Sequence, residues 1–133
     1  MNRERIDREL KILSEGGQIA ELIANSPAVV LYRSVPTDGA RYGLPASTDV
    51  VVPVPPGYPA AHIDLAGLPV GSPLLPRLKG GKNVQGSVSV ENRQFQLVSY
   101  HPHNGGGGPP WDQTKHGFHT YLDQLIAWLH RLS

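Results

Sequence analysis

The chain predicts an α+β domain, with helices at its two ends and antiparallel strands between them. Three observations carry this. Apolar residues near residues 3–24 and again over 114–132 recur at helical spacing. Between them lie short runs rich in Val, Ile, Leu and Tyr, separated by Pro and Gly. The 13 prolines and 15 glycines among 133 residues fall between these apolar runs, as turns and stiff loops do.

In chain order, Ile6, Leu10 and Leu13, then Ile19, Leu22 and Ile23, follow a period near 3.6. Gly16-Gly17 interrupts them, and each glycine inside a helix costs roughly 1 kcal/mol. Either one helix ends near Ser14 and a second begins near Gln18, or a single helix bends. Residues 28–35 (AVVLYRSV) predict a strand. Pro36-Thr37-Asp38-Gly39 is a turn, and Arg41 to Leu44 predicts a short returning strand. Asp49 to Val54 predicts a buried strand. Pro55-Pro56-Gly57-Tyr58-Pro59 is a turn whose prolines hold φ near −65°. Ala61, Ile63 and Leu65 alternate with His62 and Asp64, predicting a strand over 60–65 and completing a four-stranded antiparallel meander in hairpin order.

Residues 69–82 read as a loop in which Leu74 and Leu75 are apolar enough to dock. Residues 86–100 predict a hairpin turning near Glu91-Asn92-Arg93, with Phe95 and Leu97 on one face and Gln96 and Val98 on the other. His101 to Pro110, with four consecutive glycines, is irregular. The last helix, about 114–132, carries Phe118, Tyr121, Leu122, Leu125, Ile126, Leu129 and Leu132 on one stripe. Asp112 or Thr114 suits its N-cap, and His130 and Arg131 suit its C-terminal end. Trp128 lies off the stripe, and either widens the buried face or marks a partner surface.

Composition narrows the function. One domain of this length buries a core without staples. A net charge of +1 with no Lys/Arg cluster argues against a nucleic-acid partner. No apolar run of transmembrane length occurs, and the charged N-terminus is unlike a signal peptide, so the expected location is cytoplasmic with no membrane partner. The chain has no cysteine, which excludes disulfides, thiolate metal sites and a thiol nucleophile.

Four of the six histidines, His101, His103, His116 and His119, cluster around the glycine run, with His116 and His119 one helical turn apart. Such a set suits a zinc-dependent hydrolase. The alternative is a group of surface and helix-capping histidines. His101 stands where an ordered strand gives way to a loop, a common place for functional residues. The glycine run lacks the Lys-Ser/Thr of a phosphate loop, and no Gly-x-Ser-x-Gly supports serine catalysis. Trp111 is either a packing anchor or a binding hot spot.

The order of elements and several motifs resemble the ubiquitin-conjugating (UBC) superfamily, in particular its bacterial branch, prokaryotic family E. The residues carrying the resemblance are Leu44-Pro45, Pro55 to Pro59 followed by His62-Ile63-Asp64-Leu65, Ser99-Tyr100-His101, Trp111-Asp112-Gln113, and Phe118 to Leu122. It spans roughly residues 28–130. The resemblance implies a UBC-like fold with a four-stranded meander. It also implies a place in a bacterial ubiquitin-like modification system, of the kind linked to phage defence. Its implied partners are a ubiquitin-like protein, an adenylating activating enzyme and a JAB-type protease, with no cofactor.

The family reaction passes a ubiquitin-like C-terminus through a cysteine thioester to an amine, and this chain has no such cysteine. It is then either a non-catalytic adaptor or a chain whose catalytic cysteine has been substituted, with Ser87 and Ser99 the expected positions. Ser99, two residues before His101, would pair a nucleophile with a base. In an active protein, His101 would assist the attacking amine or stabilise the oxyanion. Tyr58, His103, Trp111 and His119 complete the expected site as binding residues.

Overall fold

A computed structural model describes residues 2–24, 28–79, 83–99 and 110–133. Its order is α1 (Arg3–Glu15), β1 (Ala20–Ile23), β2 (Val29–Pro36), β3 (Ser47–Pro53), β4 (Leu65–Pro69), β5 (Val84–Val90), β6 (Arg93–Ser99) and α2 (Phe118–Leu129). The expected α+β class with a helix at each end is present. Among the described residues the sheet has six strands rather than four, all pairings antiparallel, in the order β1-β2-β3-β4-β6-β5.

Four expectations are corrected. The stretch after Gly16-Gly17 is not a second helix but an edge strand. Gly17 takes φ +92°, turning the chain, and Ala20 to Ile23 pair with Tyr32 to Val29. Its residues are compatible with a helix, and pairing with β2 decides between the two states. Arg41 to Leu44 is not a strand, because Gly39–Tyr42 winds into a 3₁₀ turn. Thr37 Oγ1 fixes that turn by accepting from Gly39 N at 2.9 Å and donating to the Pro45 carbonyl at 2.6 Å.

The strand expected over 60–65 starts only at Leu65. Ala60 N and Ala61 N both bond back to the Gly57 carbonyl, which prolongs the turn. Ile63 is fully buried all the same, so the alternation reported burial without a ladder. Finally, the last helix begins at Phe118 rather than near 114 and is capped by neither Asp112 nor Thr114. Asp112 Oδ1 instead accepts from Thr114 N and Thr114 Oγ1, closing a local turn before the helix. The hairpin turn lies where expected, with Glu91 and Asn92 both at positive φ as a two-residue hairpin requires.

Both helices cover one face of the sheet. Ile6 and Leu13 of α1, Phe118, Tyr121, Leu125, Trp128 and Leu129 of α2, and Val30, Tyr32, Val50, Val52 and Val98 of the strands form the main core. Trp128 is 1% exposed, so it widens the buried face of α2. Leu74 docks into the same core, as its sequence suggested.

The opposite face buries a second cluster made of strand residues. Val29, Leu31 and Val51 of β2 and β3 pack with Val88, Val90 and Phe95 of the β5–β6 hairpin. Two strands stand between β2 and β6 in the sheet, so this contact requires the sheet to coil until the hairpin folds over its own outer face. Gly67 of β4 permits it. A Cβ there would lie 2.8 Å from Val51 Cγ2 and 2.9 Å from Leu97 Cδ2. Ion pairs seal the closure: Arg33 grips Glu91 with two hydrogen bonds, at 2.9 and 2.6 Å, and Arg93 Nη2 reaches Asp49 at 2.9 Å.

Candidate functional site

The site grows from a polar residue at an apolar position. Glu9 lies three residues after Ile6 and four before Leu13, on the stripe that α1 turns inward. It is 4% exposed. A buried carboxylate is costly unless its oxygens are satisfied, and here three donors reach them. Tyr58 donates its hydroxyl to Oε1 at 2.5 Å, Phe118 N donates to Oε1 at 3.0 Å, and Arg5 Nε donates to Oε2 at 2.8 Å.

Glu9 therefore ties three distant segments together: helix α1, the Pro55–Pro59 turn and the first turn of α2. It also supplies the negative charge that the N-terminus of α2 favours. Gly117 lets the carboxylate in, because a methyl group there would fall inside the Glu9 carboxyl group. Thr120 completes the cap by accepting from Gly117 N at 3.0 Å.

Around this centre an aromatic wall forms. The Tyr58 ring packs on Phe118 at 5.0 Å and on Trp111 at 6.1 Å between centroids. Trp111 Nε1 donates to the Pro59 carbonyl at 2.8 Å, pinning the segment before α2 to the proline turn. His116 packs beside Trp111 at 5.7 Å, and its Nδ1 accepts from Asp112 N at 2.9 Å. Arg5 bridges back, its Nη2 donating to the His116 carbonyl at 2.7 Å.

The electrostatics follow from burial. Burial first, and then the adjacent Glu9 carboxylate, push the Tyr58 phenol far above its ordinary range. Burial does the same to Tyr32, whose hydroxyl donates to the Phe118 carbonyl at 2.6 Å. For Arg5, burial opposes the charge, but the hydrogen bond and attraction of Glu9 outweigh it and raise the pKa. Tyr58 is thus a permanently protonated donor at neutral pH.

Of the residues expected from sequence, Tyr58, Trp111 and His119 are gathered here. Tyr58 is 3% exposed and acts inward, on Glu9. His119 lies in the first turn of α2, with Nδ1 4.0 Å from Glu9 Oε2 and without a hydrogen-bond partner. His116 is not on the helix with it, since α2 begins two residues later. Ser87 lies apart, exposed on edge strand β5 opposite Gln96. Ser99 ends β6, where its backbone pairs with Leu65. His101 and His103 lie outside the described residues. Among the described residues, no group of three or more His, Cys, Asp or Glu is placed to hold a metal ion.

A cleft of about 410 Å³ adjoins the Ser99 end of the sheet, lined by Pro53 to Pro56, Ala61, His62, Asp64 and Leu65. His62 Nε2 stands 3.7 Å from Asp64 Oδ1 at its rim. Glu9, Arg5 and Gly117 were missed in the sequence. The available signal was Glu9 itself, an acidic residue on the apolar stripe. No family model, curated protein or solved structure matches the chain. Among the described residues, no helix is long and apolar enough to cross a membrane.

Proposed function

We infer that this chain is a UBC-like protein of a bacterial ubiquitin-like modification system, carrying or presenting a ubiquitin-like protein. One observation carries the reading. Two motifs of the resemblance, the Pro-Pro-Gly-Tyr-Pro turn and the Trp before the last helix, are 52 residues apart yet touch directly through Trp111 Nε1 and the Pro59 carbonyl. Strands β1 to β4 also run as a meander between α1 and this junction, as such a fold requires. The β5–β6 hairpin is an elaboration of that plan.

The absence of cysteine favours the non-covalent form of this function. A serine ester transfers poorly to amines, whereas binding and presentation need no nucleophile. In this reading the chain acts as an adaptor, holding the ubiquitin-like protein or its activating enzyme. Its other expected neighbour is a JAB-type protease.

The test is a pull-down of the chain with the ubiquitin-like and activating proteins encoded beside its gene. It is run with ATP on reducing and non-reducing gels, beside Ser87→Cys and Ser99→Cys variants. Binding without an adduct on any chain is the expected result for an adaptor. A reducible adduct on either variant would assign conjugating chemistry with the nucleophile replaced. No binding by any chain would overturn the reading.

A further inference from the structure

Between α1 and the segment leading into α2 lies a separate cleft of about 230 Å³. Arg5 and Arg8 line it from α1, and Thr114, Lys115 and His119 line it from the other side. Glu9 is the one acid among these lining residues, and its oxygens already accept from Tyr58, Phe118 N and Arg5. Among the lining residues three permanent cations stand against one carboxylate, and Asp112, outside the lining, pairs with Lys115 at 4.0 Å.

The cations are available in different degrees. Arg5 commits Nε to Glu9 and Nη2 to the His116 carbonyl, two contacts from a guanidinium with five N–H donors. Arg8 is exposed. Lys115 is 77% exposed, and its Nζ stands 4.0 Å from Asp112 Oδ2, at the outer limit of an ion pair. The Thr114 hydroxyl is committed to Asp112. His119 adds an imidazole whose buried Nδ1 finds no hydrogen-bond partner. The competing acids are Glu4, one turn before Arg8, and Asp112.

We propose that this cleft binds a phosphate group, either free phosphate or a phosphomonoester. Guanidinium and ammonium donors on both sides of the cleft suit the several oxygens of a phosphate. The proposal is independent of the ubiquitin-like reading, since it rests on this cleft alone.

The experiment is a titration of the full chain with inorganic phosphate at constant ionic strength, balanced with chloride, followed by ¹H–¹⁵N correlation spectra. Saturable shifts are expected for the amides of Arg8, Lys115 and His119. The double variant R8A/K115A should weaken binding by about tenfold or more. Both side chains are exposed, so its spectrum should otherwise match the parent and show an intact fold. Phosphoserine in a parallel titration separates the sources: tighter binding assigns a phosphomonoester, and equal or weaker binding assigns free phosphate. Shifts that do not saturate, or that persist unchanged in the double variant, overturn the proposal.

Discussion

Glu9 shows how one side chain organises a fold. Its carboxylate satisfies the Tyr58 hydroxyl, the Phe118 amide and the Arg5 guanidinium together, so its removal strands three polar groups. Glu9→Leu is expected to cost about 3 kcal/mol, the range for breaking a buried charge network. Tyr58→Phe, which removes one donor and leaves the ring, should cost about 1.5 kcal/mol. Gly117→Ala should cost about 2 kcal/mol by overpacking against the same carboxylate. Urea midpoints at pH 7 rank all three. A Glu9→Leu variant as stable as its parent would show that the network contributes nothing net. The raised phenols of Tyr58 and Tyr32 give a spectroscopic check. Both should stay protonated in an absorbance titration near 295 nm, at and above pH 10.0, where a free phenol half-ionises.

Among the elements, the β5–β6 hairpin behaves as a flap closed over the outer face of β2 and β3. Its apolar contact is Val88, Val90 and Phe95 against Val29, Leu31 and Val51. Its latch is Arg33–Glu91 and Arg93–Asp49. Asp49 is held below its ordinary pKa of 3.8. Burial opposes this, but the Ser34 amide and Arg93 prevail. Glu91 is held below 4.5, chiefly by its hydrogen bonds to Arg33. Both folded-state values lie below the unfolded ones, so the unfolded chain binds more protons as pH falls through this range. The latch is therefore complete above about pH 4.5 and is lost as pH falls through the two depressed values, which lie below 3.8 for Asp49 and below 4.5 for Glu91. Urea unfolding at pH 7, 4.5 and 3 should show stability dropping in acid. Asp49→Asn should start lower and drop less. An equal drop in that variant would place the acid sensitivity elsewhere.

For the whole molecule, one core joins both helices to the sheet, and the Glu9 network joins the helices to each other. Unfolding should therefore be a single transition. Trp128 in the core and Trp111 at the proline turn are separate reporters of it. Single-tryptophan variants Trp111→Phe and Trp128→Phe should give fluorescence midpoints that coincide with far-UV circular dichroism. Separate midpoints would mean that the proline turn opens on its own. Local chemistry was legible in the sequence: the helix at each end, the β2 and β3 runs, the Glu91-Asn92 turn and the docking of Leu74 all follow from periodicity and turn residues. The strand at Ala20 to Ile23 was not, because its residues suit either state and only the partner β2 selects one. Nor was the start of the last helix, since its cap comes from Glu9, 109 residues away. Sequence alone determined the class of the fold and the impossibility of thiol chemistry, because periodicity and composition are local properties. The coil of the sheet, the gathering of Tyr58, Trp111 and His119 around Glu9, and the cationic cleft beside them were decided only by tertiary structure. Each depends on contacts between segments far apart in the chain, which no local pattern encodes.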